Sequence, residues 1–223
     1  MTTARKSLLI GGIGFVVLGA GWIGWQRYQD RPRGPAMSGF MVPESVKTRG
    51  EVPVLFESPA FAMTDQNGHP TSNKELAGRV WIADFIFTSC SGACPKVTEK
   101  MVEVQKALAD EPDIRFVSFS VDPARDDPKT LKAYGEQHNP GDTRWLLLRP
   151  ADQKAVIQVA QKMAAIGRST DAHDSIPHTD FFILIDPSGR VRGLYDSKKA
   201  PDVERLKMDA RKLLQQRAAS KSG

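Results

Sequence analysis

The segment at residues 80–87, VWIADFIF, constrains the possible folds more strongly than any other part of the chain. All of its residues except Asp84 are apolar. A nearly continuous apolar run of this length is typical of a strand buried on both faces, in a sheet that helices cover. Pro95 then opens a helical pattern that reaches about Ala109. The sequence therefore predicts an α/β domain.

Further strands and helices follow this pair in alternation. The predicted elements are strands at residues 114–121 and 144–148, helices at residues 127–138, 152–165 and 202–216, and a hairpin of strands at residues 181–186 and 191–195. A βαβ unit, a further helix and strand, and then a hairpin with a closing helix is the order of thioredoxin-like folds. We therefore expect a thioredoxin-like fold, with a central mixed sheet flanked by helices.

Residues 8–25, LLIGGIGFVVLGAGWIGW, contain no charged side chain. As a helix they would extend about 27 Å, which is close to the hydrocarbon thickness of a bilayer. A cleaved signal peptide is the alternative, but no small-x-small cleavage site follows the run. No cysteine follows the run either, which argues against a lipoprotein anchor. The sequence therefore predicts an uncleaved transmembrane helix.

The predicted organisation of the chain has five parts. They are a short N-terminal segment at residues 1–7, the anchor at 8–25, a polar linker at 26–50, the α/β domain at 51–216 and a disordered tail at 217–223. The linker, which contains several prolines and glycines, would hold the domain away from the membrane surface.

The charge and the cysteine count exclude two classes of protein. The 223-residue chain has a formal net charge of +5, but its basic residues are scattered and match no nucleic-acid-binding motif. We therefore expect no nucleic-acid partner. The two cysteines lie close together instead of being spread along the chain, which excludes a disulfide-stabilised secreted scaffold.

Both cysteines lie in residues 87–95, FTSCSGACP, where the buried strand ends and the next helix begins. In α/β folds this carboxyl edge of the sheet is where ligands bind. A helix N-terminus favours negative charge, so we expect lowered pKa values for the thiols of Cys90 and Cys94. Their four-residue spacing directs both side chains the same way on a helical turn. The two sulfurs would either close into a disulfide or bind one soft metal ion.

The histidines and Asp84 add candidate residues. His178 comes just before a predicted strand expected beside the cysteine segment, although most such histidines are structural or exposed. His173 is interpreted as a surface-loop residue, His69 as part of a turn and His138 as a helix end.

Asp84 places a charge inside the buried strand, six residues before Cys90, the same offset as the buried aspartate that tunes the redox cysteines of thioredoxins. One interpretation is a hydrogen-bonded core acid or an acid that points to an exposed edge. The other interpretation is a proton relay for thiol chemistry.

Three blocks of sequence resemble the Sco/SenC family. They are WIADFIFTSCSGACPKVTEKM with its Cys-x-x-x-Cys-Pro core, VDPARDDPKTLKAY at residues 121–134, and PHTDFFILIDPSGRV with its histidine. The similarity covers roughly residues 55–215, which is the whole predicted domain.

The resemblance implies an anchored thioredoxin-like protein that binds one copper ion, Cu(I) or Cu(II), per chain through Cys90, Cys94 and His178. Members of the family help to assemble the dinuclear copper centre of cytochrome c oxidase. The resemblance thus implies oxidase subunit II or a similar copper-site client as partner, together with an extracytoplasmic thiol reductant. It also implies a single-pass protein of the inner (plasma) membrane, with its domain on the periplasmic side. Many members have Pro-Asp between the cysteines, whereas this chain has Ser-Gly-Ala at residues 91–93.

The donor types agree with copper, because two thiolates and one imidazole suit Cu(I), whereas structural zinc sites normally have four ligands. We therefore expect a metallochaperone rather than an enzyme. The alternative is a thiol–disulfide oxidoreductase, with Cys90 and Cys94 as its redox pair and Asp84 as its proton relay. A copper or redox sensor is a third possibility, and a peroxidase of the peroxiredoxin type lacks its usual Thr-x-x-Cys motif.

Overall fold

A computed structural model of the chain describes residues 52–89, 94–163 and 180–221. All of these residues belong to one unit, Pro43–Gly223, and a second unit comprises Met1–Val42. The predicted N-terminal segment, anchor and linker lie outside the described residues. Within the described ranges, no helix is long and apolar enough to cross a membrane.

Strands and helices alternate through most of the described chain. In chain order they are β1 (Phe56–Glu57), β2 (Ala62–Thr64), β3 (Pro70–Ser72), α1 (Asn73–Leu76), β4 (Trp81–Ile86), α2 (Cys94–Ala107), β5 (Arg115–Ser120), α3 (Pro128–His138), β6 (Trp145–Leu148), α4 (Gln153–Lys162), β7 (Phe181–Ile185), β8 (Arg190–Asp196) and α5 (Ala200–Lys221).

Six of the strands form one mixed sheet with the order β1-β8-β7-β4-β5-β6. Strands β4, β5 and β6 run parallel to one another, as expected for strands joined by the crossover helices α2 and α3. Strand β7 runs antiparallel to both β4 and β8. Strands β2 and β3 pair in a separate antiparallel hairpin. The predicted α/β fold with a central mixed sheet flanked by helices is therefore confirmed.

The predicted central strand, β4, is buried along its whole length and contributes to two hydrophobic clusters. Alternate side chains of a strand point to opposite faces of the sheet. On one face Val80, Ile82 and Ile86 belong to a cluster that includes apolar residues of α2 and α5. On the other face the cluster contains Trp81 and Phe85 with residues of α4 and of the β2–β3 hairpin. Burial on both faces explains why the segment is almost entirely apolar.

Two helices begin where the sequence predicts. The side chain of Asp127 accepts a hydrogen bond from the Thr130 N–H at 2.7 Å and caps α3, with Pro128 at the first helical position. The side chain of Asp152 caps α4 by accepting from the Ala155 N–H at 2.8 Å. These caps satisfy backbone donors that a helix start leaves without intrahelical partners.

The structure differs from the prediction at both ends of the domain. At its start, β1, the β2–β3 hairpin and α1 were not predicted, because elements of two to four residues are too short to show a period. The last helix, predicted to end near Gln216, continues to Lys221, so most of the predicted disordered tail is helical. Arg217, at the start of this extension, forms an ion pair of 3.0 Å with Asp113.

Candidate metal centre

One edge of the sheet collects the chain segments that carry the candidate ligands. Strands β4 and β5 are parallel and end at this edge, at Ile86 and Ser120. Strand β7 starts there, because its antiparallel register pairs Ala83 with Ile183. If the same antiparallel register is continued for three residues, Ile86 lies opposite Asp180. The chain therefore enters β7 near the end of β4.

The first helix after β4 begins at the second cysteine. Cys94 is the first residue of α2, which confirms its predicted position at a helix N-terminus. The start of this helix is held by the buried residues Val97 and Thr98. Cys90 and the three residues that follow it lie outside the described residues, and of Cys94 only the backbone is described.

His178 and His173 also lie outside the described residues, in the segment 164–179. The first residue described after this segment is Asp180. Its carbonyl accepts a hydrogen bond from the Ser197 N–H at 2.7 Å, and its carboxylate pairs with the ammonium group of Lys198. These contacts fix the chain two residues after His178 at the sheet edge described above. Within the described ranges, no group of three or more His, Cys, Asp or Glu residues is arranged to hold a metal ion.

The other two histidines are where the sequence predicts. His69 lies in the turn between β2 and β3, where its N–H donates to Asp65 Oδ1 at 2.8 Å. His138 is the last residue of α3, with its ring 4.4 Å from that of Tyr134.

Asp84 is completely buried in the middle of β4. Its position alternates with Ile82 and Ile86, so it belongs to the sheet face that packs against α2, the helix that begins at Cys94. It does not point to an exposed edge, and neither carboxylate oxygen has a hydrogen-bond partner among the described residues.

Burial raises the pKa of Asp84 from 3.8 to about 7, and Ser118 on the neighbouring strand lowers the pKa only in part. The hydroxyl oxygen of Ser118 also accepts a hydrogen bond from Trp145 Nε1 at 2.9 Å. A raised pKa is one property that the proton-relay interpretation requires of Asp84, and that role stays a prediction.

Side chains from two segments fix the turn after β5. Asp122 accepts a hydrogen bond from the Arg125 guanidinium at 2.7 Å, and the Asp122 carbonyl accepts from the N–H groups of Arg125 and Asp126. Arg149, which follows β6, donates from its Nε to the Pro123 carbonyl at 3.1 Å. The turn is thus fixed from both sides at the edge where β4 ends.

Asp126, which the sequence does not single out, is completely buried in this turn. Its carboxylate accepts hydrogen bonds from the Thr88 hydroxyl at 2.5 Å and from the Ser120 hydroxyl at 2.6 Å. The Thr88 N–H lies 3.3 Å from both carboxylate oxygens. Nothing in the local sequence separates this buried acid from its neighbour Asp127, which caps α3. Asp126 therefore connects the turn after β5 to the residue two positions before Cys90.

The donor types of the candidate ligands fit a soft metal ion. A helix N-terminus stabilises a thiolate, and the observed start of α2 at Cys94 supplies that environment. Two thiolates and one imidazole form a set that favours Cu(I) over hard cations such as Mg²⁺ or Ca²⁺.

Comparison with known proteins agrees with the fold and the motif. The family model SCO1/SenC matches residues 54–215. The SCO1 protein homolog of Bacillus subtilis (strain 168) is 37% identical over 141 residues, which cover 62% of this chain and 73% of that protein.

Solved structures of Sco proteins are also similar to this chain. The structure of BsSco, described as a member of the Sco family of cytochrome c oxidase assembly proteins with a disulfide switch, matches with a TM-score of 0.59 and 34% identity, covering 70% of this chain and 93% of BsSco. The structure of Bradyrhizobium japonicum ScoI with copper bound matches with a TM-score of 0.56 and 26% identity, covering 70% of this chain and 99% of ScoI. Fold, cysteine motif and extent of similarity together show that this chain belongs to the SCO1/SenC family.

Proposed function

We propose that the chain is a membrane-anchored copper metallochaperone that assists assembly of the dinuclear copper centre of cytochrome c oxidase. It holds one copper ion as cargo on Cys90, Cys94 and His178. The observation that carries this proposal is the shared sheet edge, where β4 ends, α2 begins at Cys94 and β7 begins three residues after His178.

The donor set explains how such a protein would both hold and release copper. Two thiolates and one imidazole bind Cu(I) strongly and leave the ion open to an incoming ligand. The client, oxidase subunit II or a similar copper site, would take the ion by exchanging its own ligands for those of this chain. Oxidation of the two thiols to a disulfide removes both sulfur donors, so the cycle needs an extracytoplasmic thiol reductant.

The relatives support both the cargo and the client. ScoI of Bradyrhizobium japonicum has been solved with copper bound, and BsSco belongs to a family of cytochrome c oxidase assembly proteins.

The proposed anchor at residues 8–25 would place the domain on the periplasmic side of the inner membrane, next to a membrane-bound client. Arg192 fixes the start of the described domain, just after the proposed linker. Its guanidinium donates to the carbonyls of Val52 and Pro53, the latter at 2.9 Å.

Asp84 favours a second candidate function, a thiol–disulfide oxidoreductase. Its carboxyl group lies on the sheet face that packs against α2 and has a pKa of about 7. Such a group would take a proton from one thiol of the Cys90–Cys94 pair and return it during exchange. In this candidate His178 has no role in the chemistry.

Titration of the reduced full-length chain in detergent with Cu(I), against a chromophoric competing chelator, tests the proposal. We expect one copper per chain, and no tight binding by the Cys90→Ser, Cys94→Ser double variant. His178→Ala should weaken binding by at least about tenfold, because loss of even an outer-sphere partner of a metal ligand costs 10–100-fold.

His138→Ala is the matched control, because His138 lies at the far end of α3 and should leave copper affinity unchanged. If His178→Ala binds copper as the wild type does but the chain reduces a disulfide substrate catalytically, the oxidoreductase replaces the metallochaperone. Tight copper binding by the double cysteine variant would contradict both the ligand set and the metallochaperone.

A further inference from the structure

The cysteine segment, which runs from Ser89 to Cys94, is bounded at both ends by residues with defined contacts. Its C-terminal end is Cys94, where α2 begins and packs into the core through Val97 and Thr98. Its N-terminal end follows Thr88, whose hydroxyl and N–H both face the carboxylate of Asp126. The two anchors are six residues apart in sequence, and both cysteines lie between them or at their boundary.

The contact with Asp126 is stronger than an ordinary loop contact. Thr88, Asp126 and Ser120 form a group that we call the Asp126 cluster. Both hydroxyls of the cluster donate to a carboxylate that is completely buried, at 2.5 and 2.6 Å. Hydrogen bonds to a charged acceptor at such short distances are roughly twice as strong as neutral ones.

The carboxylate is itself held rigidly in place. The Asp126 N–H donates to the Asp122 carbonyl at 3.0 Å, and the next residue, Asp127, caps α3. Ser120 is the last residue of β5, and its hydroxyl also accepts from the Asp122 N–H at 3.2 Å. The cluster therefore connects Thr88 to two regular elements of the domain, β5 and α3.

We propose that Asp126 is a positioning residue for the cysteine pair, acting through Thr88. The proposal rests on the proposed function of Cys90 and Cys94 and adds a control on their geometry. By fixing the chain two residues before Cys90, the cluster reduces the conformational freedom that the segment loses when both sulfurs bind one ion or join in a disulfide. It thereby raises both the copper affinity and the stability of the disulfide.

Thr88→Val tests this proposal, because it removes the hydroxyl donor and keeps the size and branching of the side chain. We expect Cu(I) affinity to fall about tenfold, as is typical when a hydrogen bond to a charged group is lost. The equilibrium constant for forming the Cys90–Cys94 disulfide should fall by a similar factor, which raises its midpoint potential by about 30 mV. Thr88→Ser keeps the hydroxyl, so it should have the copper affinity and the midpoint potential of the wild type.

The potential is measured without copper by equilibrating the full-length chain in detergent with glutathione buffers. In this reaction the two thiols give two protons and two electrons to oxidised glutathione, which becomes two molecules of reduced glutathione. Thr71→Val is the matched control, because it removes another buried threonine hydroxyl, on β3, outside the Asp126 cluster. Asp126→Asn keeps one acceptor and loses the charge, so it should show the same shift in a milder form.

A lowered melting temperature in Thr88→Val and Asp126→Asn, with wild-type potential and wild-type copper affinity, would overturn the proposal and leave the cluster a purely structural feature. If Thr88→Val fails to fold, Asp126→Asn decides by the same two measurements. If the wild type binds no copper, the metallochaperone fails, and the potential alone still decides whether the cluster positions the cysteines.

Discussion

Asp84 places a carboxyl group at the centre of β4 with no hydrogen-bond partner among the described residues. An ionised carboxylate in such a place loses its hydration, so the neutral form is favoured and the pKa rises to about 7. A leucine or valine at this position would be more stable at neutral pH. The acid therefore reduces the stability of the domain, which is common where a group has a chemical role.

Asp84 should make the stability of the domain depend on pH. Its folded pKa of about 7 exceeds the value of 3.8 for a solvated aspartate. Between these values the folded chain keeps a proton that the unfolded chain has lost, so stability falls as pH rises from about 4 to about 7. The pKa difference corresponds to a decrease of at most about 4 kcal/mol in the free energy of unfolding. We expect Asp84→Asn to remove this decrease, as measured by urea unfolding at pH 5 and pH 8.

The exposed Asp110 provides the control for this experiment, since Asp110→Asn should retain the wild-type difference between the two pH values. An Asp84→Asn variant that still loses stability between pH 5 and pH 8 would assign the effect to other groups.

The β7–β8 hairpin is the element that brings the chain back from residue 180 across the sheet. Its packing depends on one glycine, because the Tyr195 side chain lies directly over Gly193. A Cβ atom at Gly193 would lie 2.4–2.6 Å from three atoms of the Tyr195 ring and hydroxyl. Tyr195 cannot easily move away, since it is buried and its hydroxyl donates to Asp209 on α5 at 2.9 Å. The glycine therefore permits the contact between β8 and α5.

Gly193→Ala should destabilise the domain by about 1–3 kcal/mol, the usual cost of forcing extra volume into a packed site. The measurement is the urea midpoint of Gly193→Ala, alone and combined with Tyr195→Leu. Because the clash is with the tyrosine, adding Gly193→Ala to Tyr195→Leu should cost much less than adding it to the wild type. Equal costs in both backgrounds would mean that the alanine acts through some other contact.

At the scale of the whole domain, a buried hydrogen-bond network joins the first described residues to the β7–β8 hairpin. Arg192 of β8 donates to the carbonyls of Val52 and Pro53 and to Asp186 Oδ2, the last at 2.8 Å. Burial alone would raise the pKa of Asp186, but the hydrogen bonds from Arg190 and Arg192 outweigh it and hold that pKa below its usual range. The network spans about 140 positions of sequence.

Arg192→Met should lower the free energy of unfolding by about 3 kcal/mol, because it removes the partner of a buried charge and of two carbonyls. Arg190→Met is the matched control. It removes a second guanidinium from the same carboxylate, but the Arg190 side chain is more than one-third exposed, so the cost should stay below about 1 kcal/mol. Equal losses in the two variants, measured by urea unfolding, would contradict a special role for the buried arginine.

Several features of this protein follow from short stretches of sequence. The alternation of apolar runs and helical patterns predicts the strands and helices from β4 to β8, because each pattern reflects burial within one element. N-cap residues such as Asp127 and Asp152 can be recognised from the sequence, because a cap and the helix that it begins are adjacent in the chain. For the same reason the start of α2 at Cys94 is predictable. Three blocks of sequence, one of them with the Cys-x-x-x-Cys-Pro core, indicate the family without any structure.

Only the tertiary structure decides what lies far apart in sequence. The contact of Thr88 with Asp126 joins residues 38 positions apart, and nothing local distinguishes Asp126 from a solvated acid in a turn. Whether Asp84 is buried without a partner depends on β5 and the sheet around it. The extension of α5 to Lys221 also has a distant neighbour, since Arg217 forms an ion pair with Asp113, more than a hundred positions earlier. Hydrogen bonding and burial at these sites depend on neighbours that the fold supplies, and a single sequence does not reveal which residues those neighbours are.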